Sequence, residues 1–204
     1  MDSIEQPSDD TDLHKILVIL QSESANLVLI WQEFVELYAQ NNGDRINLMN
    51  RIAPSFFGML QILMIESMVI RMCRMTDGEG FPNKENLPLR RILRALPASV
   101  NEHRQEIEEL IDKAESMVDC AREWRNKRLA HLDYHHAVSD DRVKFSIGFT
   151  ELRESIEAIH AVLDKTNTVV WNTPVSFKVI PLPGTAASLM HMLEKYTSRS
   201  QTSE

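Results

Sequence analysis

Apolar residues recur at helical spacing over most of the chain. From Leu13 to Tyr38 they fall three or four residues apart, as they do on one face of an α-helix. The same spacing predicts helices at about 54–75, 99–124 and 149–165, with a short helix within 89–96. The pattern therefore predicts a mainly helical protein.

Glycine, proline and small polar residues mark the predicted helix ends. Gly43 is available for a left-handed cap after the first helix, and Pro54 suits the first turn of the next one. Thr76–Pro88 contains two glycines and two prolines, which predicts a loop. Ser99 and Glu102 have the spacing of a capping box and predict the start of another helix.

The length of the chain favours one domain. Its 204 residues are enough for one hydrophobic core, and we expect a single helical bundle over 12–168. Residues 169–196 contain three prolines and several β-branched residues, which predict an extended segment and a short helix packed on the bundle. Polar composition predicts disordered tails at 1–11 and 197–204.

The most apolar stretch, Phe56–Met72, raises the question of a membrane span. It contains Gln61, Glu66 and Arg71 and is shorter than the ~20 residues that a span needs. We therefore expect no membrane contact. The stretch is instead predicted to be a core helix that is buried on most sides or that shares a subunit interface.

Charge and cysteine content narrow the classes of function. A formal net charge of −8 argues against a protein that coats duplex DNA through a broad basic face. Cys73 and Cys120 lie far apart in apolar helical stretches, which is typical of buried thiols in a reducing compartment. The acidic, polar N-terminus lacks the regions of a signal peptide. We therefore expect a cytoplasmic protein.

The stretch EWRNKRLAHLDYHH, residues 123–136, concentrates cationic and imidazole side chains. At 100° per residue, Arg125 falls on the same apolar line as Ile107. A guanidinium there needs an acidic partner or an anionic ligand, and Glu66 is the internal candidate. His131 lies about 9 Å further along an ideal helix and about 120° around it. Convergence with Arg125 then requires its long stem, a distorted last turn or a second subunit.

Two other interpretations of this stretch use the same side chains. Cations suit the negative end of a helix dipole, and their stems cover apolar neighbours. These cations are Arg122, Arg125, Lys127, Arg128 and His131. Imidazoles and a carboxylate are also metal ligands, but their spacing matches no metal signature, so we expect no metal or other cofactor. These groups are His131, Asp133, His135 and His136.

Arg125, Asn126, four further residues and then His131 resemble the Arg-polar-x4-His motif of the HEPN superfamily (higher eukaryotes and prokaryotes nucleotide-binding domains). The wider chain is similar to the abortive-infection U-type (AbiU-like) branch of that superfamily. Glu66–Leu93 resembles that branch's helix with its Arg-x-x-Asp end, loop and short leucine-rich helix. Arg125–Asp133 resembles its signature, and together these similarities cover residues 12–170.

The resemblance implies an all-α fold: a HEPN-like antiparallel bundle of four to five helices with a short extended C-terminal segment. It also implies a dimer in which two copies of the motif face each other across a cleft. Catalytic members are metal-independent endoribonucleases, which implies a toxin or phage-defence effector. By this resemblance, Arg125 holds the phosphate, Asn126 orients the substrate or the arginine, and His131 transfers protons. The residues expected to bind substrate or support the site are Lys127, Arg128, Asp133, Glu66 and Arg74.

A competing hypothesis is that the protein has the same fold but no nuclease activity. Many members of the superfamily are helical modules that bind a protein partner or a nucleotide without cleaving RNA. In that case Arg125 is a structural group paired with Glu66. The partners expected overall are a second copy of the chain, an RNA substrate, and an antitoxin or regulatory protein.

Overall fold

The chain folds into helices over nearly all of its described length. The computed structural model describes residues 9–39, 43–81, 84–130, 147–175 and 183–201. The first helices are α1 (Asp9–Phe34), which continues as a π-helical turn (Val35–Ala39), α2 (Gly43–Ile52) and α3 (Pro54–Thr76). A minimal antiparallel hairpin follows, made of β1 (Gly80–Phe81) and β2 (Lys84–Glu85).

The second half of the chain is built in the same way. Its elements are α4 (Arg91–Ala95), a 3₁₀ helix (Ala98–His103), α5 (Arg104–Met117), α6 (Asp119–Trp124), a π-helical turn (Arg125–Ala130), α7 (Phe149–Trp171) and α8 (Ala186–Gln201). The predicted all-α fold is confirmed. Where apolar residues repeat over many turns, as in α1, α3, α5 and α7, the sequence predicted the helix.

The described residues form two compact units. The first unit contains the described parts of Met1–Leu27 and Val69–Phe177, and the second those of Val28–Met68 and Lys178–Glu204. The single helical bundle expected over 12–168 stays a prediction. In the second unit, one apolar cluster joins the π-helical turn after α1 to α2, α3 and α8. Its buried members are Leu37, Leu48, Met49, Phe57, Ala186 and Met190.

Packing of α5 against α7 is the most extensive helix pairing among the described elements of the first unit. Ile107 and Ile111 are fully buried on α5, and Ile159 is fully buried on α7. The hydroxyl of Ser155 donates a hydrogen bond to the carbonyl of Met117 at 2.9 Å, where α5 ends. This pairing fixes the end of α5 from which α6 continues.

Helix α3 is buried on one side and exposed on another. Its last turns, in the first unit, bury Met72 and Cys73 completely. Earlier in the helix, in the second unit, Phe56, Met59, Ile62 and Leu63 are exposed. The prediction of a helix buried on most sides is therefore wrong for this earlier part, because only some of its apolar positions contact the unit. The alternative of a subunit interface stays a prediction.

Length and composition alone would allow two helices, Asp12–Ala39 and Pro54–Thr76, to cross a membrane. The core helix of a soluble protein passes the same test, so this finding is weak evidence for a span. About a third or less of each apolar window is buried, 33% and 28% respectively. Most residues of each window are therefore not buried.

Several local sequence signals gave wrong helix ends. Gly43 is the first residue of α2 and does not have the left-handed conformation predicted for a cap. Ser99 and Glu102 lie inside a 3₁₀ helix, so they form no capping box, and α5 begins without a side-chain cap. Helix α7 continues to Trp171 and ends at Asn172, whose φ of 51° is left-handed.

Two further expectations change with the structure. Helix α8 continues to Gln201, so residues 197–201 belong to a helix and not to a tail, and α1 already begins at Asp9. Cys73 is buried, as expected, whereas Cys120 is exposed. Position 120 lies on the outer side of α6, while its neighbour Ala121 is buried.

The two faces of α3 predict different costs for the same substitution. Met68 is 0% exposed and Met59 is 55% exposed. Met68→Ala should lower the free energy of unfolding by about 2–5 kcal/mol, because it removes buried atoms and leaves a cavity. Met59→Ala should change it by less than about 0.5 kcal/mol. Urea unfolding of both variants measures the difference, and equal costs would contradict the burial pattern.

A buried histidine predicts a stability loss in mild acid. Burial lowers the pKa of His160 on α7 to about 4. In the unfolded chain a histidine titrates near pH 6.5. Between about pH 6.5 and 4 it therefore binds a proton in the unfolded state but not in the folded state. The stability from this neutral histidine is complete above about pH 6.5 and is lost as the pH falls towards 4.

Unfolding free energies at pH 7 and pH 5 test this expectation. His160→Leu should remove up to about 2 kcal/mol of the decrease that the parent shows between these values. His191→Leu is the matched control, because His191 is exposed on α8. A His160→Leu protein with the full parental decrease would contradict the expectation.

Candidate functional site

The cationic stretch begins where α6 becomes a π-helical turn. Val118 interrupts the predicted straight helix between α5 and α6, and the turn Arg125–Ala130 follows directly after Trp124. The side chain of Arg125 is 24% exposed, which agrees with its predicted place beside the apolar face. A π-helical turn is a distortion of regular helix geometry, and such turns often occur at functional sites.

Asp77 is the carboxylate at the centre of the site. It follows the last residue of α3, and its backbone N–H donates to the carbonyl of Cys73 at 2.7 Å. One carboxylate oxygen accepts a hydrogen bond from Nε of Arg122 at 3.1 Å. The other accepts from Nη1 of Arg125. One acidic residue therefore joins the end of α3 to two arginines that lie a turn apart.

Arg122 uses all three of its guanidinium nitrogens on protein groups. Besides Asp77, its Nη1 pairs with Asp119, and its Nη2 lies 3.2 Å from both the carbonyl and the hydroxyl oxygen of Thr76. The hydroxyl of Thr76 itself donates to the carbonyl of Met72 at 2.9 Å. Arg122 is therefore a structural tie between α6 and the end of α3.

Arg125 is bound less completely. Its Nη1 donates to Asp77, and its Nε and Nη2 donate to Oδ1 of Asn126 at 3.1 and 3.0 Å. A guanidinium carries five N–H groups, so two of them have no acceptor among the described residues. Of the two arginines, Arg125 makes fewer hydrogen bonds, three against four for Arg122, and so retains more donors for an anionic ligand.

Glu66 is not the partner of Arg125. The predicted pairing is wrong, because the carboxylate that contacts Arg125 belongs to Asp77, at the end of the same helix. Glu66 is an acidic residue in an apolar stretch, and these surroundings single it out in the sequence. Asp77 had a weaker signal, the Asp of the Arg-x-x-Asp sequence that closes α3.

Two predicted supporting cations lie near the site in different settings. Lys127 pairs with Glu123 one turn earlier. Arg74 is exposed and lies 3.7 Å from Glu23 of α1. Arg74 and Asp77 both line a cavity of about 300 Å³, in which α1 and the loop after β2 also contribute walls. Arg74 can therefore reach a ligand in this cavity.

Three predicted site residues cannot be placed. His131 and Asp133 lie outside the described residues, and Arg128 lies in the π-helical turn with no description of its side chain. The potential metal ligands at 131–136 also lie outside them. In the part of the chain that the structure describes, no three His, Cys, Asp or Glu side chains are grouped to hold a metal.

Burial and charge also set the properties of the neighbouring thiol. Burial raises the pKa of Cys73 to about 11, against the opposing effect of Arg125. The thiol is therefore protonated at neutral pH and is not a nucleophile. Its role is packing at the end of α3, which holds Asp77.

The arginine-rich helix α4 is neutralised by acidic residues. Arg90 pairs with Asp112 and Glu115 of α5 at 2.5 and 2.7 Å. Arg91 and Arg94 both pair with Glu79, at 3.3 and 2.8 Å. These arginines tie α4 to its neighbours and do not form a free cationic patch.

Comparison with known families identifies a relationship over most of the chain. A family model described as AbiU2, of the HEPN group, matches residues 10–181. The match confirms the resemblance to AbiU-like HEPN domains. No similar chain is found among curated proteins or among solved structures.

The structural role of Arg122 predicts a cost for its removal. Arg122→Ala leaves Thr76 and one oxygen of Asp77 without a donor, so the free energy of unfolding should fall by about 1–3 kcal/mol. Arg153→Ala is the matched control, because Arg153 is exposed and lies 3.8 Å from Glu157 on the same helix. Its cost should stay below about 0.5 kcal/mol. Similar urea midpoints for both variants would argue against the tie.

Proposed function

Because the chain belongs to the AbiU2 family of HEPN domains, we propose that it is a metal-independent endoribonuclease. It acts as a toxin or phage-defence effector in abortive infection, with Arg125, Asn126 and His131 as its active-site residues. The observation that carries the proposal is the guanidinium of Arg125. It is held by protein groups through three N–H groups and keeps two for an anion.

The chemistry of RNA cleavage fits these residue types. The 2′-hydroxyl attacks the adjacent phosphorus, the bond to the leaving oxygen breaks, and negative charge increases on the phosphate oxygens. Two N–H groups of one planar guanidinium match two phosphate oxygens, and a hydrogen bond to a charged group is stronger than a neutral one. His131 moves the proton of the 2′-hydroxyl, because histidine is the side chain best suited to proton transfer at neutral pH.

A second copy of the chain is part of the proposal. Phe56, Met59 and Leu63 are exposed on α3 at intervals of three and four residues, the spacing by which helices pair along a seam. Exposed apolar patches of this kind mark interaction sites more often than free surface. We place the dimer contact on this part of α3.

The remaining partners follow from the charge and the proposed activity. Since the chain carries a net charge of −8, contacts to RNA are confined to the site, where Arg74 and Lys127 add cationic groups. Binding should therefore weaken steeply as salt increases. We place the protein in the cytoplasm, where its RNA targets are, and expect an antitoxin or regulatory protein to restrain it.

A second function, a non-catalytic module that binds a protein partner or a nucleotide, is favoured by one observation. Asp77 and Asp119 contribute two negative charges to the two arginines that they contact, so the cluster has no net charge. In that case Arg125 serves only the fold. Arg125→Ala then costs about 1–3 kcal/mol of stability, because Asp77 loses one of its two arginine partners, and there is no activity to lose.

A cleavage assay without metal tests the proposed activity. With EDTA present, the parent should cleave a mixed pool of fluorescent single-stranded and transfer-type RNAs. Arg125→Ala and His131→Ala should be at least about 100-fold slower, because each removes a group that stabilises or transfers charge in the transition state. Arg153→Ala, which removes an exposed arginine on α7, should cleave at the parental rate.

Each variant is first shown by its circular dichroism and its elution volume to have the parental fold and oligomeric state. If folded Arg125→Ala and His131→Ala proteins cleave as fast as the parent, the proposed active site is wrong. If the folded parent cleaves nothing and Arg125→Ala loses about 1–3 kcal/mol of stability, the binding module replaces the nuclease.

A further inference from the structure

Asp77 is outside the Arg-polar-x4-His motif, yet it contacts the first residue of that motif. We propose that Asp77 is a positioning residue, which fixes the guanidinium of Arg125 so that its two remaining N–H groups are presented to a substrate phosphate. The inference rests on the proposed function for its substrate. The fixing of Arg125 is a property of the folded protein and is measurable by itself.

The contacts of Arg125 hold its guanidinium at two places. Oδ1 of Asn126 accepts from both Nε and Nη2, at 3.1 and 3.0 Å, and so occupies one edge of the plane. Asp77 accepts from Nη1. Acceptors at these separate places fix the rotation of the plane about the arginine stem. An arginine has about 2 kcal/mol of rotamer entropy, so a free one would have to be ordered when the substrate binds.

Asp77 is itself held firmly enough to act as a reference point. Its backbone N–H donates to the carbonyl of Cys73, whose side chain is fully buried on α3. Its second oxygen accepts from Arg122, and Arg122 is anchored again by Thr76. Thr76, Arg122, Asp77, Arg125 and Asn126 thus form one continuous hydrogen-bonded series. The series connects the buried end of α3 to the exposed side of the motif.

The charges around Arg125 indicate that Asp77 positions this arginine and does not block it from binding a phosphate. The single carboxylate of Asp77 is shared by two guanidinium groups, which leaves one formal positive charge among these three side chains. Asp119, which pairs with Arg122, is 71% exposed, and water screens its charge. Asp77 also occupies only one of the five N–H groups of Arg125. A phosphate can therefore bind Arg125 without displacing Asp77.

The test compares Asp77→Asn with Asp119→Asn in the full chain. Both remove one carboxylate from the same cluster, but only Asp77 contacts Arg125. The Nε–H signal of Arg125 is identified in ¹H–¹⁵N spectra by its loss in Arg125→Lys. In Asp77→Asn this proton should exchange with water at least about tenfold faster than in the parent, because the guanidinium is held at one place only. In Asp119→Asn its exchange should be unchanged.

Steady-state cleavage of the same RNA pool gives the second readout. Asp77→Asn should lower kcat about 10- to 100-fold with little change in KM, because a misplaced Arg125 weakens transition-state contacts more than ground-state ones. Asp119→Asn should retain the parental kcat. In an Arg125→Lys background, Asp77→Asn should add almost no further loss, since both changes remove one shared interaction.

The outcomes separate this inference from the proposed function. Unchanged exchange of the Arg125 proton in Asp77→Asn overturns the inference, and so does faster exchange with a parental kcat. A parent that cleaves no RNA overturns the proposed function, and the exchange measurement then decides by itself whether Asp77 positions Arg125. If Asp77→Asn fails to fold, Asp77→Glu moves the carboxylate by one methylene, and the same criteria apply to it.

Discussion

The sharing of one carboxylate between two guanidinium groups determines where the site lies. Asp77 is at the end of α3, and Arg122 and Arg125 lie a turn apart where α6 becomes π-helical. The contact works only if both helix ends are fixed. Buried Cys73 fixes one and buried Trp124 the other. Cys73 and Trp124 thus determine the position of Arg125 through packing alone.

Helical periodicity predicted the long elements because each of them buries a continuous stripe. It could not predict what happens between them. Glycine is common where a helix ends, but a new helix begins at Gly43. That helix is stabilised by the contacts of α2 in its unit. Ser99 and Glu102 have the spacing of a capping box and lie in a 3₁₀ helix. Where a signal of a few residues and the packing of many residues favour different helix ends, the packing determines the structure.

The motif itself was visible in the sequence, whereas the roles of Arg125 and of its neighbour Arg122 were not. The two arginines are alike in type and three residues apart, and only their contacts show that Arg122 makes four hydrogen bonds and Arg125 three. Asp77 is 48 residues from Arg125. A pairing over such a separation leaves no periodic trace in one sequence. The acidic residue that stood out, Glu66, stood out for its apolar surroundings and not for its contacts.

The π-helical turn at Arg125–Ala130 has one more residue than an α-helical turn would hold. One residue more or fewer in such a turn therefore changes the direction of the chain after it. Loss of one residue from it would restore α-helical geometry and rotate everything that follows by about 100° about the helix axis. Arg125 is the first residue of this turn, and Asn126, which accepts two of its hydrogen bonds, is the second. The length of this turn therefore determines how the arginine and the residues after it are oriented to each other.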